Sequence, residues 1–188
     1  MNESIGFIGV GFMGEGMGHN LLKKGFALTV MAHRNREPVE RLLTAGASEA
    51  NNVKEMAQNC SVIFLCVTGS PQVEAIVLGT DGILANAKPG TVIIDCSTSD
   101  PVSTGKLDAA ARAVGMHLVD APLGGTPKEA ATGNLSAMVG ADDAVFERVQ
   151  PIIAAWAANI SHLGKVGLGH TMKLVNNFLS MGYAALYS

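Results

Sequence analysis

Cysteine is scarce in this 188-residue chain: Cys60, Cys66 and Cys96 are the only three, and no CxxC or metal-ligand spacing links them. Three cysteines cannot complete a disulfide framework, so free thiols in a reducing, cytoplasmic compartment are expected, with no metal site. Positive charge is also short. Lys and Arg total 13 against 16 Asp and Glu, a net charge of −3, which leaves no basic surplus to neutralise nucleic-acid phosphates. No apolar run approaches the roughly 18 residues of a membrane span, and the first residues lack the pattern of a secretory leader. Disorder is excluded by the 48% hydrophobic content, enough for one domain, or one domain plus a fragment, to bury a core.

What the chain does have is glycine, 22 residues of it, and a regular alternation of short apolar runs with helical patterns. Ile5–Val10, Ala27–Met31, Val62–Val67, Thr91–Asp95, Met116–Asp120, Ser136–Val139 and Ile160–Leu163 read as strands. Between them, helical spacing marks a segment that starts by Phe12 and closes at Gly25, then 37–45, 53–59, one beginning at Pro71, 101–114 and 142–155. This order predicts a Rossmann-type, doubly wound α/β fold with a mostly parallel sheet. We expect residues 1–165 to form one dinucleotide-binding domain. From Gly167 a single long helix is expected to run to Ser188 without a stop signal, as if residues 166–188 began a further, helical domain that this chain lacks. Its apolar side chains, including Met172, Leu179 and Leu186, would seek another surface, so a homo-oligomer is expected.

Gly9-Val10-Gly11-Phe12-Met13-Gly14 fits GxGxxG in the strand–turn–helix setting that gives this pattern meaning. The first glycine allows the tight turn, the second lets the backbone approach a pyrophosphate, and the third packs helix on strand. The helix N-terminus adds unpaired N–H groups for phosphate. An NAD site usually carries an acid about 20 residues further on, for the ribose hydroxyls. None occurs from Gly16 to Arg36; the second strand ends instead in His33-Arg34-Asn35-Arg36. Guanidinium groups suit a 2′-phosphate, so NADP is expected over NAD.

The segment Phe7–Leu21 resembles the opening of the β-hydroxyacid dehydrogenases, relatives of 3-hydroxyisobutyrate dehydrogenase and tartronate semialdehyde reductase. Three more segments agree in order and spacing: Asp95-Cys96-Ser97-Thr98 with the strand-end DxST, Asp120-Ala121-Pro122-Leu123-Gly124-Gly125 with the substrate loop DAPVSGG, and Gly169–Asn177 with the helix GxxxKxxNN. The resemblance implies a Rossmann domain, a long interdomain helix and an all-helical second domain that completes the substrate pocket, without which turnover would be poor. It also implies Lys173 as general acid/base, Asn177 on substrate, Thr98 near the nicotinamide, and cofactor contacts at Cys66, Val67 and Thr68. Gly124 stands where the family has serine and Thr126 where it has glycine. The N–H groups of Gly124 and Gly125 and the Thr126 hydroxyl are therefore the expected carboxylate contacts.

The residues by themselves support this chemistry. Lys173 and Asn177 lie four apart and share a helix face. An ammonium and an amide there can hold a carbonyl oxygen, and the lysine can protonate it as hydride reaches the carbon. The expected reaction is hydride transfer between NADP(H), or NAD(H), and a small β-hydroxy acid or semialdehyde such as 3-hydroxyisobutyrate or 2-hydroxy-3-oxopropionate. The alternatives are a decarboxylating enzyme like 6-phosphogluconate dehydrogenase, which needs a phosphate site not found here, and a non-catalytic dinucleotide-binding module.

Overall fold

The computed structural model describes residues 3–187. Six strands form one parallel sheet: β1 (Ser4–Ile8), β2 (Ala27–Met31), β3 (Ser48–Glu49), β4 (Val62–Leu65), β5 (Val92–Asp95) and β6 (His117–Asp120), in the order β3-β2-β1-β4-β5-β6. The chain winds outward from β1 to β3, returns to β4, and winds the other way to β6. All strands of this sheet are parallel, and the helices between them fall on both faces, as a doubly wound fold requires.

Central strands that read VIFL and VIID are buried at every position, and strand alternation sorts their side chains onto two faces. One face carries Phe7, Phe64 and Ile94, which pack with Met17 and Leu21 of α1 (Gly14–Lys23), Leu42 of α2 (Glu37–Thr44) and Ile152 of α8 (Asp143–Ile153). The other carries Ile8, Ile63, Leu65 and Ile93. They meet Met56 of α3 (Val53–Asn59), Val73 of α4 (Ser70–Leu78), Ile83 of α5 (Ile83–Asn86) and Leu107 of α6 (Pro101–Ala113). Phe7 and Phe64 stack at 5.5 Å between centroids, and Trp156 meets Phe64 edge-on at 6.2 Å.

The last strands depart from the sequence expectation. They do not extend the main sheet but form a second one: β7 (Leu123–Gly124), antiparallel to β8 (Leu135–Val139), which runs parallel to β9 (Ala157–His162). A bridge between Asp120 and Gly140 joins the two sheets. The two-residue strands β3 and β7 and the short helices α5 and α7 (Pro127–Thr132) are too brief to show a hydrophobic period, so the pattern missed them. The final helix, α9, spans Leu168–Leu186; Ser188, where the pattern was expected to run, lies outside the described residues.

Arg148 of α8 ties the amino ends of the strands together. Its guanidinium donates to Glu3 at 2.8 Å and to the Gly90 carbonyl at 2.7 Å. The Arg148 hydrogen bond, as the largest cause, holds the Glu3 carboxyl below its ordinary 4.5. A depressed folded value means the pair adds stability that is fully present above 4.5 and is lost as pH falls through the folded value. Glu3→Gln is expected to lower stability near neutral pH by about 1 kcal/mol, and the deficit should shrink in acid. Urea denaturation at several pH values checks both.

Candidate dinucleotide cleft and active site

The strand order reverses between β1 and β4, and their carboxyl ends diverge there, the usual ligand position of an open α/β sheet. A cleft of about 800 Å³ opens at this point. Gly9, Gly11 and Phe12 line it from β1, His33, Arg34 and Asn35 from β2, and Cys66, Val67 and Thr68 from β4. Three separate stretches of sequence thus converge on one cavity. Met13 and Gly14 begin α1 behind the loop, and exposed Thr98 follows β5 outside the cleft lining.

Each glycine of the loop is explained by what a methyl group would meet. Gly9 has φ +98°, and a Cβ there would run into the Cys66 carbonyl. At Gly14 it would strike the Gly9 carbonyl and the Phe7 ring, so this glycine seats the helix on the strand. A Cβ on Gly11 would meet no protein atom within 4 Å. Packing gives no reason for glycine at that position, whereas close approach of a ligand to the backbone does. The lining of the cleft, the bare Gly11 and the adjoining N-terminus of α1 together fit a dinucleotide pyrophosphate.

The arginines separate. Arg36 does not line the cleft; its guanidinium donates to Glu49 of β3 at 2.9 and 3.1 Å. Arg34 lines the cleft, and no ion pair engages it among the described residues. Arg41, one turn further along α2, also lines the cleft but is held by Glu15 at 2.5 and 2.9 Å. Glu15 and Glu37 bring carboxylates to the lining, beyond both ends of the acid-free stretch. In sequence nothing distinguishes Arg41 from an ordinary surface arginine. Burial, the larger cause, and the nearby Asp95 push the Cys66 thiol up to about 12, so it lines the cleft as a neutral group and not as a nucleophile. Among the described residues, no cluster of His, Cys, Asp and Glu suits a metal ion.

A second corner lies at the carboxyl end of β6. Lys173 on α9 donates its Nζ hydrogen to the Leu123 carbonyl at 2.7 Å. That carbonyl directly precedes Gly124 and Gly125, so the expected lysine and substrate loop are brought together. Lys173 and Asn177 are half-buried while the positions between them are exposed, which places both on the inward face of the helix. Burial lowers the lysine's pKa. Gly124 is paired in β7 and Gly125 turns with φ +125°. Thr126 is the N-cap of α7 in a capping box, its N–H bound by Glu129 at 2.7 Å.

His170, which in sequence reads as an ordinary helix residue, is fully buried. Its Nδ1 lies 2.8 Å from the Thr104 hydroxyl and its Nε2 3.1 Å from the Ser97 carbonyl. Asp120 accepts the backbone N–H groups of Gly167 and His170 at 2.7 and 2.8 Å. Burial, the largest cause, raises the Asp120 carboxyl, while those two amides oppose the shift.

Comparison with known proteins agrees with this geometry. The profile of the NAD binding domain of 6-phosphogluconate dehydrogenase matches residues 4–164. An NAD-dependent L-serine dehydrogenase of Pseudomonas aeruginosa is 40% identical over 177 residues, covering 94% of this chain and 59% of its own length. A 2-(hydroxymethyl)glutarate dehydrogenase of Eubacterium barkeri is 41% identical over 176 residues, covering 93% and 58%. The structure of a Mycobacterium tuberculosis 3-hydroxyisobutyrate dehydrogenase with L-serine superposes with a TM-score of 0.88 at 30% identity, over 95% of this chain and 60% of that one. The chain spans about three-fifths of the length of these relatives. With its Gly-rich cleft at the strand reversal and its fold and sequence matched along nearly its whole length, the chain belongs to the β-hydroxyacid dehydrogenase family and carries that family's dinucleotide-binding domain.

Proposed function

We propose that this protein transfers hydride between NADP(H) and a small β-hydroxy acid or its semialdehyde, with Lys173 as general acid/base. Residues 1–165 hold the cofactor, and residues 166–188 begin the helix that carries the lysine. The observation that carries the reading is the seat of Lys173: half-buried, with a lowered pKa, and bonded to the carbonyl at the head of the Gly124-Gly125 loop.

When bound, the nicotinamide supplies or accepts the hydride. The chain's own part is to hold the substrate oxygen and move its proton. In reduction, the Lys173 ammonium donates a proton to the oxygen that gains charge; in oxidation, the neutral amine takes the hydroxyl proton. The Leu123 carbonyl orients the amine in either form. Asn177, one turn along the same face, adds an amide toward substrate, and Gly124, Gly125 and Thr126 offer contacts for its carboxylate. L-serine, 2-(hydroxymethyl)glutarate and 3-hydroxyisobutyrate, named for the relatives, each place a primary alcohol one carbon away from a carboxyl-bearing carbon. That shared unit is the proposed substrate class. Assay of a panel of such alcohols and semialdehydes with both cofactors tests the reading, and absence of turnover across the panel would overturn it.

The cofactor preference rests on Arg34. Of the two arginines expected at a 2′-phosphate, it alone lines the cleft, and no carboxylate among the described residues claims it. Arg34→Ala is expected to weaken NADPH binding by about 10- to 100-fold, the worth of a charge-assisted contact, with NADH binding almost unchanged. Calorimetric titration of both cofactors checks this, and an equal loss for both would remove Arg34 from the phosphate site.

A further inference from the structure

We propose that His170 is a positioning residue for Lys173: a buried latch that fixes the start of α9 against the two strand ends that carry the active site. The inference rests on the reading of Lys173 as the acid/base.

The imidazole is wholly buried, yet every polar atom of it has a partner. Nε2 faces the Ser97 carbonyl at 3.1 Å; a carbonyl only accepts, so Nε2 carries hydrogen. Nδ1 meets the Thr104 hydroxyl of α6 at 2.8 Å. The carboxylates of Asp95 and Asp120 flank the ring at 3.8 and 3.9 Å. Each of these contacts is more than 45 residues away in sequence, so the ring joins β5, α6 and β6 to α9.

The connections lead to both halves of the site. The Ser97 hydroxyl accepts the N–H of Val67 at 3.0 Å, and Val67 lines the cofactor cleft. Asp120 grips the first turn of α9 through the amides of Gly167 and His170, three residues before the Leu123 carbonyl that holds Lys173. Gly169 allows this approach: a Cβ there would run into the Met138 carbonyl and Asp120. The buried residues of α9, Gly169 and His170, both lie in this first turn. A general acid must sit within hydrogen-bond reach of its proton's destination, and a misplacement of about 1 Å can cost on the order of 100-fold in rate. The histidine is wholly buried and does not line the cleft, so its proposed action is only through where it puts the lysine.

The test compares His170→Ala, His170→Gln, Lys173→Ala and the double variant His170→Ala/Lys173→Ala in the protein. The readouts are kcat, KM, cofactor Kd and thermal melting. His170→Ala is expected to lower kcat by about 10-fold or more with KM and cofactor Kd little changed. His170→Gln should recover most of the rate, since its amide can donate to the Ser97 carbonyl and still reach the Thr104 hydroxyl. In the Lys173→Ala background, removal of His170 should cost nothing further, because the two act as one unit. Should His170→Ala fail to fold, Thr104→Val keeps the shape, removes the hydroxyl at Nδ1, and supports the same comparison. Wild-type kcat in His170→Ala, or a full additional loss in the Lys173→Ala background, would overturn the proposal. Wild-type turnover in Lys173→Ala alone would instead overturn the assignment of the acid/base.

Discussion

Lys173→Ala is expected to lower kcat by about 10²- to 10⁴-fold, the range for a positioned proton donor, with cofactor affinity unchanged. The lysine's partner is the Leu123 carbonyl, and it does not line the cofactor cleft, so its loss should not reach the dinucleotide. The pH dependence follows from the direction of its shift. Burial favours the neutral amine, so the folded pKa lies below the ordinary 10.5. Oxidation of the alcohol needs that neutral amine, and its rate should rise through a pKa below 10.5; reduction needs the ammonium and should fall across the same range. Steady-state profiles in both directions check the pair of slopes. Two parallel profiles, or a variant with near-normal kcat, would take the lysine out of the chemistry.

Gly11→Val is expected to separate binding from folding. A Cβ at Gly11 meets no atom within 4 Å, and its backbone is not in the left-handed region, so the unfolding free energy should change by no more than about 0.5 kcal/mol. The branched side chain would instead occupy the space proposed for the pyrophosphate, and dinucleotide affinity should fall by about 100-fold or more, roughly 2.7 kcal/mol. Gly9→Ala is the contrast. At φ +98°, with the Cys66 carbonyl in its way, a methyl group should cost both stability and binding. Differential scanning calorimetry beside cofactor titration distinguishes the two. A Gly11→Val protein that binds at wild-type affinity would leave that glycine unexplained and the cofactor placement wrong.

The fold and the Gly-rich turn were legible because they are written in local pattern. Runs such as Val62–Leu65 and Val92–Ile94 are apolar at successive positions, as a strand covered on both faces requires, and the intervening helices then give parallel neighbours. The GxGxxG stretch states its geometry directly, since glycine at 9 and 14 is demanded by atoms that any such turn brings close. The second sheet was not legible. Its strands obey the same alternation as the first, and a period-2 pattern does not name the partner. Only the pairing of β8 with the two-residue β7 and with β9 shows that it lies away from the main sheet.

The arginines and the histidine show the same divide more sharply. Sequence alone determined that a basic stretch follows the second strand, that no acid interrupts it, and that Lys173 and Asn177 share a helix face, because residue type and helical spacing are local facts. Which arginine faces the cleft was decided by tertiary structure. Arg36 turns to Glu49 on a strand 13 residues away, Arg41 to Glu15 on another helix, and Arg34 is left toward the cavity. His170 was decided in the same way: its environment comes from Ser97, Thr104, Asp95 and Asp120, brought together only when the carboxyl ends of β5 and β6 receive the first turn of α9. Side-chain pairing across such distances depends on the register and packing of whole elements, a property of the assembled sheet that no local period contains.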